Sequence, residues 1–202
     1  MSAPLGVILA GGLATRMGGG DKGALPLGTS TLLDHVIGRL SPQVQGIALN
    51  ANGDGTRFSY LGLPVVADSI EGFAGPLAGV LAGLDWAAEQ GATSIVTAAA
   101  DTPFFPHDLV AQLQLAADGM EHPLALAATP DPKRGKSRHP TFGLWPVALR
   151  DDLRDALNQG VRKVVQWTDS HDGKLAMFPI DQIDPFFNVN TPEDLARAEL
   201  ML

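Results

Sequence analysis

Cysteine is absent from all 202 residues, so disulfide scaffolds, thiolate zinc sites, iron–sulfur ligation and thiol nucleophiles are excluded together. Chemistry is left to oxygen, nitrogen and metal ions. Charge is scarce too: 18% of residues are charged, where roughly a quarter is usual. With 45% hydrophobic residues, the chain has material for a sizeable core and lacks the composition of a disordered polyelectrolyte. Basic residues are the scarcer sign, 14 Lys and Arg against 22 Asp and Glu, which gives a net charge of −8. Such a chain is a poor match for duplex nucleic acid or an anionic membrane, both of which need a basic face. Long apolar runs are also missing. Leu5–Ala10 is too short for a signal core or a membrane span, and Met1–Pro4 ahead of it holds no basic residue. The run from Leu77 is cut at Asp85 and the one from Ile95 ends at Asp101. A soluble, cytoplasmic protein is expected.

What the chain has in surplus is 23 glycines and 15 prolines, without a collagen period, which signals many short element boundaries. The length suits one domain over 1–202, and no internal repeat or linker interrupts it. Leu5–Ala10 is almost wholly apolar and stops at Gly11-Gly12, the pattern of a strand buried on both faces of a parallel sheet. Similar runs recur at Gly46–Leu49, Pro64–Ala67 and Ser94–Thr97. Each is followed by a polar residue: Asn50, Asp68 and, after three alanines, Asp101. Helical periods lie between them. Leu32, Leu33, Val36, Ile37 and Leu40 share a face and stop before Pro42; Leu77–Glu89 repeats the pattern; a third helix is expected from Pro106. Strands are expected at Ala125–Thr129 and Pro140–Trp145, a helix at Val147–Leu157, and a last helix capped by Thr191 with Pro192 at its first position. Asp131–Arg138 reads as a long flexible loop.

Alternating strands and helices predict an α/β fold: a doubly wound, mostly parallel sheet with helices on both faces, a three-layer sandwich. In such sheets ligands bind beyond the carboxyl ends of the strands, so Asn50, Asp68 and Asp101 are expected at one cleft. The strongest chemical signal is Leu9–Lys22, where a buried strand runs into five glycines and two cations, Arg16 and Lys22. Backbone without side chains curls around a polyphosphate and turns N–H groups to its oxygens, and the cations supply local positive charge. It is not a P-loop, since no glycine stands five residues before a Gly-Lys-Ser/Thr. Gly18-x-Gly20-x-x-Gly23 matches the dinucleotide fingerprint only by letter, because it lies past the strand end and Pro26 follows. Asp101, just beyond a buried strand and before the turn Thr102-Pro103, offers hard oxygen suited to Mg²⁺. Asp68 serves equally well as an Asx turn into Ser69, and Asn50 either reads a ligand or closes a turn to Gly53. His35, His107, His122 and His171 show no metal-ligand spacing and read as structural or solvated.

The stretch LAGGxxxRMGGxDK, Leu9 to Lys22, resembles the signature of the molybdenum cofactor guanylyltransferases, the MobA family within the larger nucleotidyltransferase group. Asn50-Ala51-Asn52, Asp68, Gly75–Gly79, Asp101–Phe104, His139-Pro140-Thr141 and Asn188–Leu195 extend the likeness over almost the whole chain. The resemblance implies a Rossmann-like nucleotidyltransferase fold and transfer of GMP from GTP to the terminal phosphate of molybdopterin, with release of pyrophosphate. Leu9, Ala10, Gly11, Gly12, Lys22, Asn50, Asp68 and Asp101 would contact GTP. Arg16, Lys22 and Asp101 would be catalytic, with Mg²⁺ on Asp101, and His139, Asn188 and Asn190 would meet the pterin. The division implied is GTP binding by about 1–105 and pterin binding by about 106–202. A working monomer is expected, in transient contact with molybdopterin-biosynthesis proteins or molybdoenzyme chaperones. The basic run Lys133, Arg134, Lys136 and Arg138 would steer the pterin phosphate, or is simply solvated. Gly11-Gly12 stands where related cytidylyltransferases read Ala-Ala-Gly, which favours guanine. Transfer of CMP to the same pterin, or of a nucleotide to a sugar or polyol phosphate, is the enzymatic alternative, and a non-catalytic pterin chaperone is the alternative of another class.

Overall fold

The computed structural model describes residues 3–11, 22–70, 72, 75–181 and 183–202. In chain order its elements are β1 (Leu5–Leu9), the short hairpin β2 (Pro26–Leu27) and β3 (Ser30–Thr31), α1 (Leu32–Leu40), β4 (Ile47–Asn50), β5 (Val65–Val66), α2 (Pro76–Glu89), β6 (Ser94–Ala99), α3 (Leu109–Ala116), β7 (Ala125–Asp131), β8 (Gly135–Pro146), α4 (Arg150–Asn158), α5 (Val164–Ser170), β9 (Lys174–Met177) and α6 (Pro192–Glu199). Seven strands form one sheet in the order β5-β4-β1-β6-β8-β7-β9. β1 pairs parallel with β4 and β6, β4 with β5, and β7 with β9, while β8 runs antiparallel to β6 and β7. The expected doubly wound, mostly parallel sheet is therefore present, and it is continuous across both halves of the chain.

Because successive strand side chains point to opposite faces, each apolar strand feeds two cores. Ile8 and Val96 meet Leu33, Val36 and Leu40 of α1 and Leu109 and Leu113 of α3 on one face. Val7 and Ile95 meet Leu77, Val80, Leu81 and Leu84 of α2, with Leu153 of α4 and Trp167 of α5, on the other. A smaller core of Leu27, Leu32, Val189 and Ala198 joins the β2–β3 hairpin to α6. Two capping boxes start helices where the sequence signals them. Thr31 and Asp34 exchange hydrogen bonds at α1, and Thr191 and Asp194 do so at α6 with Pro192 at its first position. Among the described residues no helix is long and apolar enough to cross a membrane.

Three expectations need correction. The third helix begins at Leu109 and not at Pro106; residues 106–108 form a turn in which Leu109 N–H donates to the Pro106 carbonyl at 3.2 Å. The helix expected over Val147–Leu157 is a 3₁₀ turn at Val147–Leu149 that passes into α4. Asp131–Arg138 is no flexible loop. It is the tip of the β7–β8 hairpin, with Asp131 opposite Gly135 and Arg138 opposite Ala128. Asp131 Oδ1 accepts from the backbone N–H of Lys133 and Arg134 at 2.8 and 2.9 Å, and Gly135 closes the turn at φ 77°. Aspartate at the start and glycine in the left-handed position are hairpin chemistry. β8 is correspondingly longer than Pro140–Trp145. Its pairing slips where Pro140, Thr141 and Phe142 stand opposite the single step from Leu126 to Ala127, as a proline without an N–H demands of a strand interior.

The sheet's buried polar pair is Trp145, whose indole N–H donates to Thr97 Oγ1 at 2.9 Å, both side chains fully buried. Thr97→Val keeps the shape and strands that N–H, so unfolding in urea should show a loss of about 1–3 kcal/mol. Thr97→Ser, which keeps the acceptor, should lose less.

Candidate active site

At the carboxyl ends of β4, β1 and β6 lies a cleft of about 730 Å³. The expectation that the polar strand-end residues converge is met, since Asn50, Asp68 and Asp101 all line it, together with Leu9, Ala10, Gly11 and Lys22. Gly12 and Arg16 lie outside the described residues. The wall opposite β1 is the start of α2. Gly75 holds φ 149°, Pro76 opens the helix, and the helix N-terminus borders the cleft. α2 lies close to the sheet because Gly79 has no side chain: a Cβ there would come within 2.3 Å of Asn50 Oδ1 and 2.8 Å of Leu9 Cδ2.

One end of the cleft is built around Asp68. Asn50 Nδ2 donates to the Val66 carbonyl at 3.2 Å and to Asp68 Oδ1 at 3.0 Å. Asn52 Nδ2 donates to Asp68 Oδ2 at 2.8 Å, and Asn52 Oδ1 accepts from the Asp68 N–H at 2.9 Å. Asp68 is thus held by two amides from the end of β4, one of which grips both its backbone and its carboxylate. Asn52 is a cleft residue that the sequence offers only as part of the Asn50-Ala51-Asn52 match; the alternation Asn50-x-Asn52, two residues on one side of an extended segment, is the signal for its place.

The other end is built around Lys22. Its ammonium donates to Asn190 Oδ1 at 2.6 Å and lies 3.4 Å from Asp101 Oδ2. Thr102 Oγ1 lies 2.5 Å from Asn188 Oδ1 and 3.3 Å from Asp101 Oδ1; its one proton goes to the nearer acceptor. The Val189 N–H donates to the Asp101 carbonyl at 2.8 Å. The segment Asn188–Asn190 is therefore stitched to Lys22 and Asp101, although neither asparagine is among the cleft-lining residues. Thr102, fully buried, reads in the sequence only as part of a turn, and its bond to Asn188 is new.

His139 is set apart from this cluster. The bulge in β8 sends Thr141 into the cleft, while the His139 ring stacks on Phe186 with centroids 4.2 Å apart and its Nε2 lies 2.9 Å from Thr129 Oγ1. Bulges commonly re-aim side chains beside a site in this way. Burial pushes the imidazole below its usual pKa, against the smaller opposing pull of Asp184.

This mostly parallel sheet with a strand-end cleft defines a class. Residues 6–173 match the MobA-like NTP transferase domain, and the protein is a nucleotidyltransferase. Its backbone is similar to that of the molybdopterin-guanine dinucleotide biosynthesis protein A from Archaeoglobus fulgidus, with a TM-score of 0.69 over 98% of this chain and 97% of that one, at 23% identity. The sequence is 52% identical over 197 residues to a molybdenum cofactor guanylyltransferase of Bradyrhizobium sp. (strain ORS 278), covering 96% of this chain and 91% of that protein. It is 50% identical over 202 residues to the molybdenum cofactor guanylyltransferase of Mesorhizobium japonicum, covering 98% and 95%. The chain belongs to the molybdenum cofactor guanylyltransferase family.

The lowered pKa of His139 has a sign. The unfolded chain binds the proton more tightly than the folded one, so the stability due to neutral His139 is full above the unfolded value of roughly 6.5 and falls as the pH drops below it. His139→Phe, which retains a ring on Phe186, should flatten the slope of the urea midpoint against pH between about 5 and 7.5. An unchanged slope would exclude this role.

Proposed function

We propose that the protein transfers GMP from GTP to the terminal phosphate of molybdopterin and releases pyrophosphate. The observation that carries this reading is the convergence of Lys22, Asp101, Asn50 and Asp68 on one cleft, with Asn188–Asn190 bonded to its cationic end. The two ends differ in what they accept. Asp68 is an acceptor held by amides, so it faces the donor-rich part of the nucleotide, the base or ribose. The triphosphate lies toward Lys22, the start of α2 and the Gly11 backbone, where positive charge and N–H groups are available.

A phosphate oxygen of the pterin attacks the α-phosphorus, and the bond to the β-phosphate oxygen breaks. The nucleophile is already an anion, so no general base is required; the barrier is repulsion and misalignment between two phosphates. Lys22, released from Asn190, stabilises charge growing on the α-phosphate, and Arg16 takes the outer phosphates. Asn188 and Asn190 orient the pterin phosphate beside them; His139, stacked on Phe186 and outside the cleft lining, is assigned no step.

Asp101 fits the expected Mg²⁺. Its carboxylate is partly exposed at a strand end, and its contacts at 3.3 and 3.4 Å leave lone pairs for a hard cation that needs one or two carboxylates beside phosphate oxygens. When bound, the ion would neutralise phosphate charge and favour in-line geometry. A working monomer in a cytoplasmic setting, where GTP is at hand, completes the proposal. Molybdopterin-biosynthesis proteins or molybdoenzyme chaperones are its proposed transient partners.

The decisive assay offers Mg²⁺, the pterin and each nucleoside triphosphate in turn and reads pyrophosphate. GTP alone should support release; CTP in its place would establish cytidylyl transfer, and release with neither would favour a binding protein. Lys22→Ala and Asp101→Ala should each lower kcat by about 10²-fold or more, the scale of lost transition-state electrostatics, with urea midpoints little changed.

β7 and β8 support the same reading. Since β7 runs parallel to β6, their hairpin tip lies at the cleft end of the sheet. Arg138 is committed to Asp169 at 2.7 Å, whereas Lys133, Arg134 and Lys136 are exposed. Replacing those three by Gln should weaken pterin binding with little effect on GTP, as measured by separate titrations. Equal pterin affinity would remove the hairpin from the mechanism.

A further inference from the structure

Behind the cleft, Asp85 of α2 stands between α4 and the segment that leaves Asp68. Asp85 Oδ1 accepts from Arg154 Nη2 at 2.5 Å and lies 3.7 Å from Arg150 Nε. Asp85 Oδ2 accepts from the Ser69 hydroxyl at 2.5 Å. None of these four residues lines the cleft. Three successive residues are thereby fixed to three different places. Asp68 is gripped by Asn50 and Asn52, Ser69 is tied to Asp85, and Ile70 packs on the core formed by α2, α4 and α5 while also lining the cleft.

The segment needs such ties. β5, which precedes it, is only two residues long, so the sheet itself ends at Val66, before Asp68, Ser69 and Ile70. A carboxylate useful for orienting a ligand must itself be held by neighbours whose own positions are fixed. Asn50 and Asn52 fix the Asp68 side chain from the front, but the backbone after it is free to swing unless something holds it from behind. Arg154 and Arg150 make Asp85 a firm anchor, because a carboxylate with an Arg on one oxygen presents the other in a fixed direction.

We propose that Ser69 and Asp85, backed by Arg154, form a positioning tether for nucleotide binding: they touch no substrate and act by holding Asp68 and Ile70 in place. This rests on the reading of the cleft as the nucleotide site. Loss of one such hydrogen bond should weaken GTP binding about three- to tenfold.

The test is titration of the intact protein with GTP and with CTP in the presence of Mg²⁺, alongside steady-state pyrophosphate release. Ser69→Ala and Asp85→Asn should raise the Kd and KM for GTP by that factor while kcat at saturating GTP stays within about twofold, the signature of lost binding without lost chemistry. Ser69→Thr, which restores the hydroxyl, should recover the affinity, and Asp151→Asn, on the solvent side of Arg150, should change nothing. A merely structural role would lower the urea midpoint and the active fraction without raising KM. Unaltered GTP affinity in Ser69→Ala, with GTP bound by the unmodified protein, overturns the tether alone. Binding of neither nucleotide by the unmodified protein overturns the nucleotide reading and the tether with it.

Discussion

The register of β1 between its two neighbours determines where every polar group of the cleft can stand. Leu9 lies opposite Asn50 on one side and Ala99 on the other, and Asn50 lies opposite Val66. Four parallel strands therefore stop at one level, and the residues just beyond them share one space. A slip of one residue in β4 would turn the Asn50 amide toward α1 and put Leu49 against α2. What opposes the slip is apolar alternation: Ile47 and Leu49 of β4 share the core of Ile8 and Val96 under α1 and α3, while Val7 and Ile95 face α2. Glycine completes the constraint. Gly79 and Gly83 are one helical turn apart, and a Cβ on Gly83 would come within 2.8 Å of Val7 and 2.9 Å of Ile95. α2 can lie against these strands at this height, with its first turn at the cleft, because both positions are bare.

Hydrogen bonding then divides the cleft. The end near β4 uses amides to hold a carboxylate, which leaves acceptor oxygens as its offering. The end near β6 uses an ammonium held by an amide oxygen and a carboxylate, which leaves positive charge. Asn190 is the link between distant parts of the chain. It lies 168 residues from Lys22, and the α6 capping box fixes it, since Asp194 Oδ2 accepts from the N–H of both Asn190 and Thr191. A local helix start thus sets the position of a side chain that contacts the cleft lysine. The sequence motif at Asn188–Leu195 combines a cap and a contact to the cleft lysine because both depend on the same backbone.

Much of this was legible in the chain itself, for physical reasons that differ from element to element. β1, β4 and β6 are short apolar runs ended by glycine or a polar residue, and α1 and α6 carry capping boxes, so their places follow from local chemistry. The convergence of Asn50, Asp68 and Asp101 follows from the parallel topology. Other features depend on partners far away in sequence. The Asp68 clamp needs Asn52, and the Thr102 to Asn188 bond spans 86 residues. α5 and β9 were missed because Val164–Ser170 is only two turns and Lys174–Met177 is an edge strand of four residues, too short for a period to emerge. The tip of the β7–β8 hairpin reads as a loop for another reason, although both flanking strands are evident in the sequence. Its charge suggested a solvated loop, while Asp131 and Gly135, the residues that decide a turn, were outweighed by the cations between them.

Net charge gives the cleft its last constraint. A chain at −8 repels anions at long range, so binding of two phosphorylated substrates has to rely on short-range donors, which salt and distance screen least. Among the described lining residues Lys22 is the sole Lys or Arg, and it is already shared between Asn190 and Asp101. One shared ammonium cannot balance a triphosphate. Backbone N–H groups at Gly11 and the first turn of α2 border the same cleft, and the proposed Arg16 and Asp101-bound cation would supply the rest. Each is useful only when a phosphate is in place. Specificity for a phosphorylated partner then comes from geometry at close range.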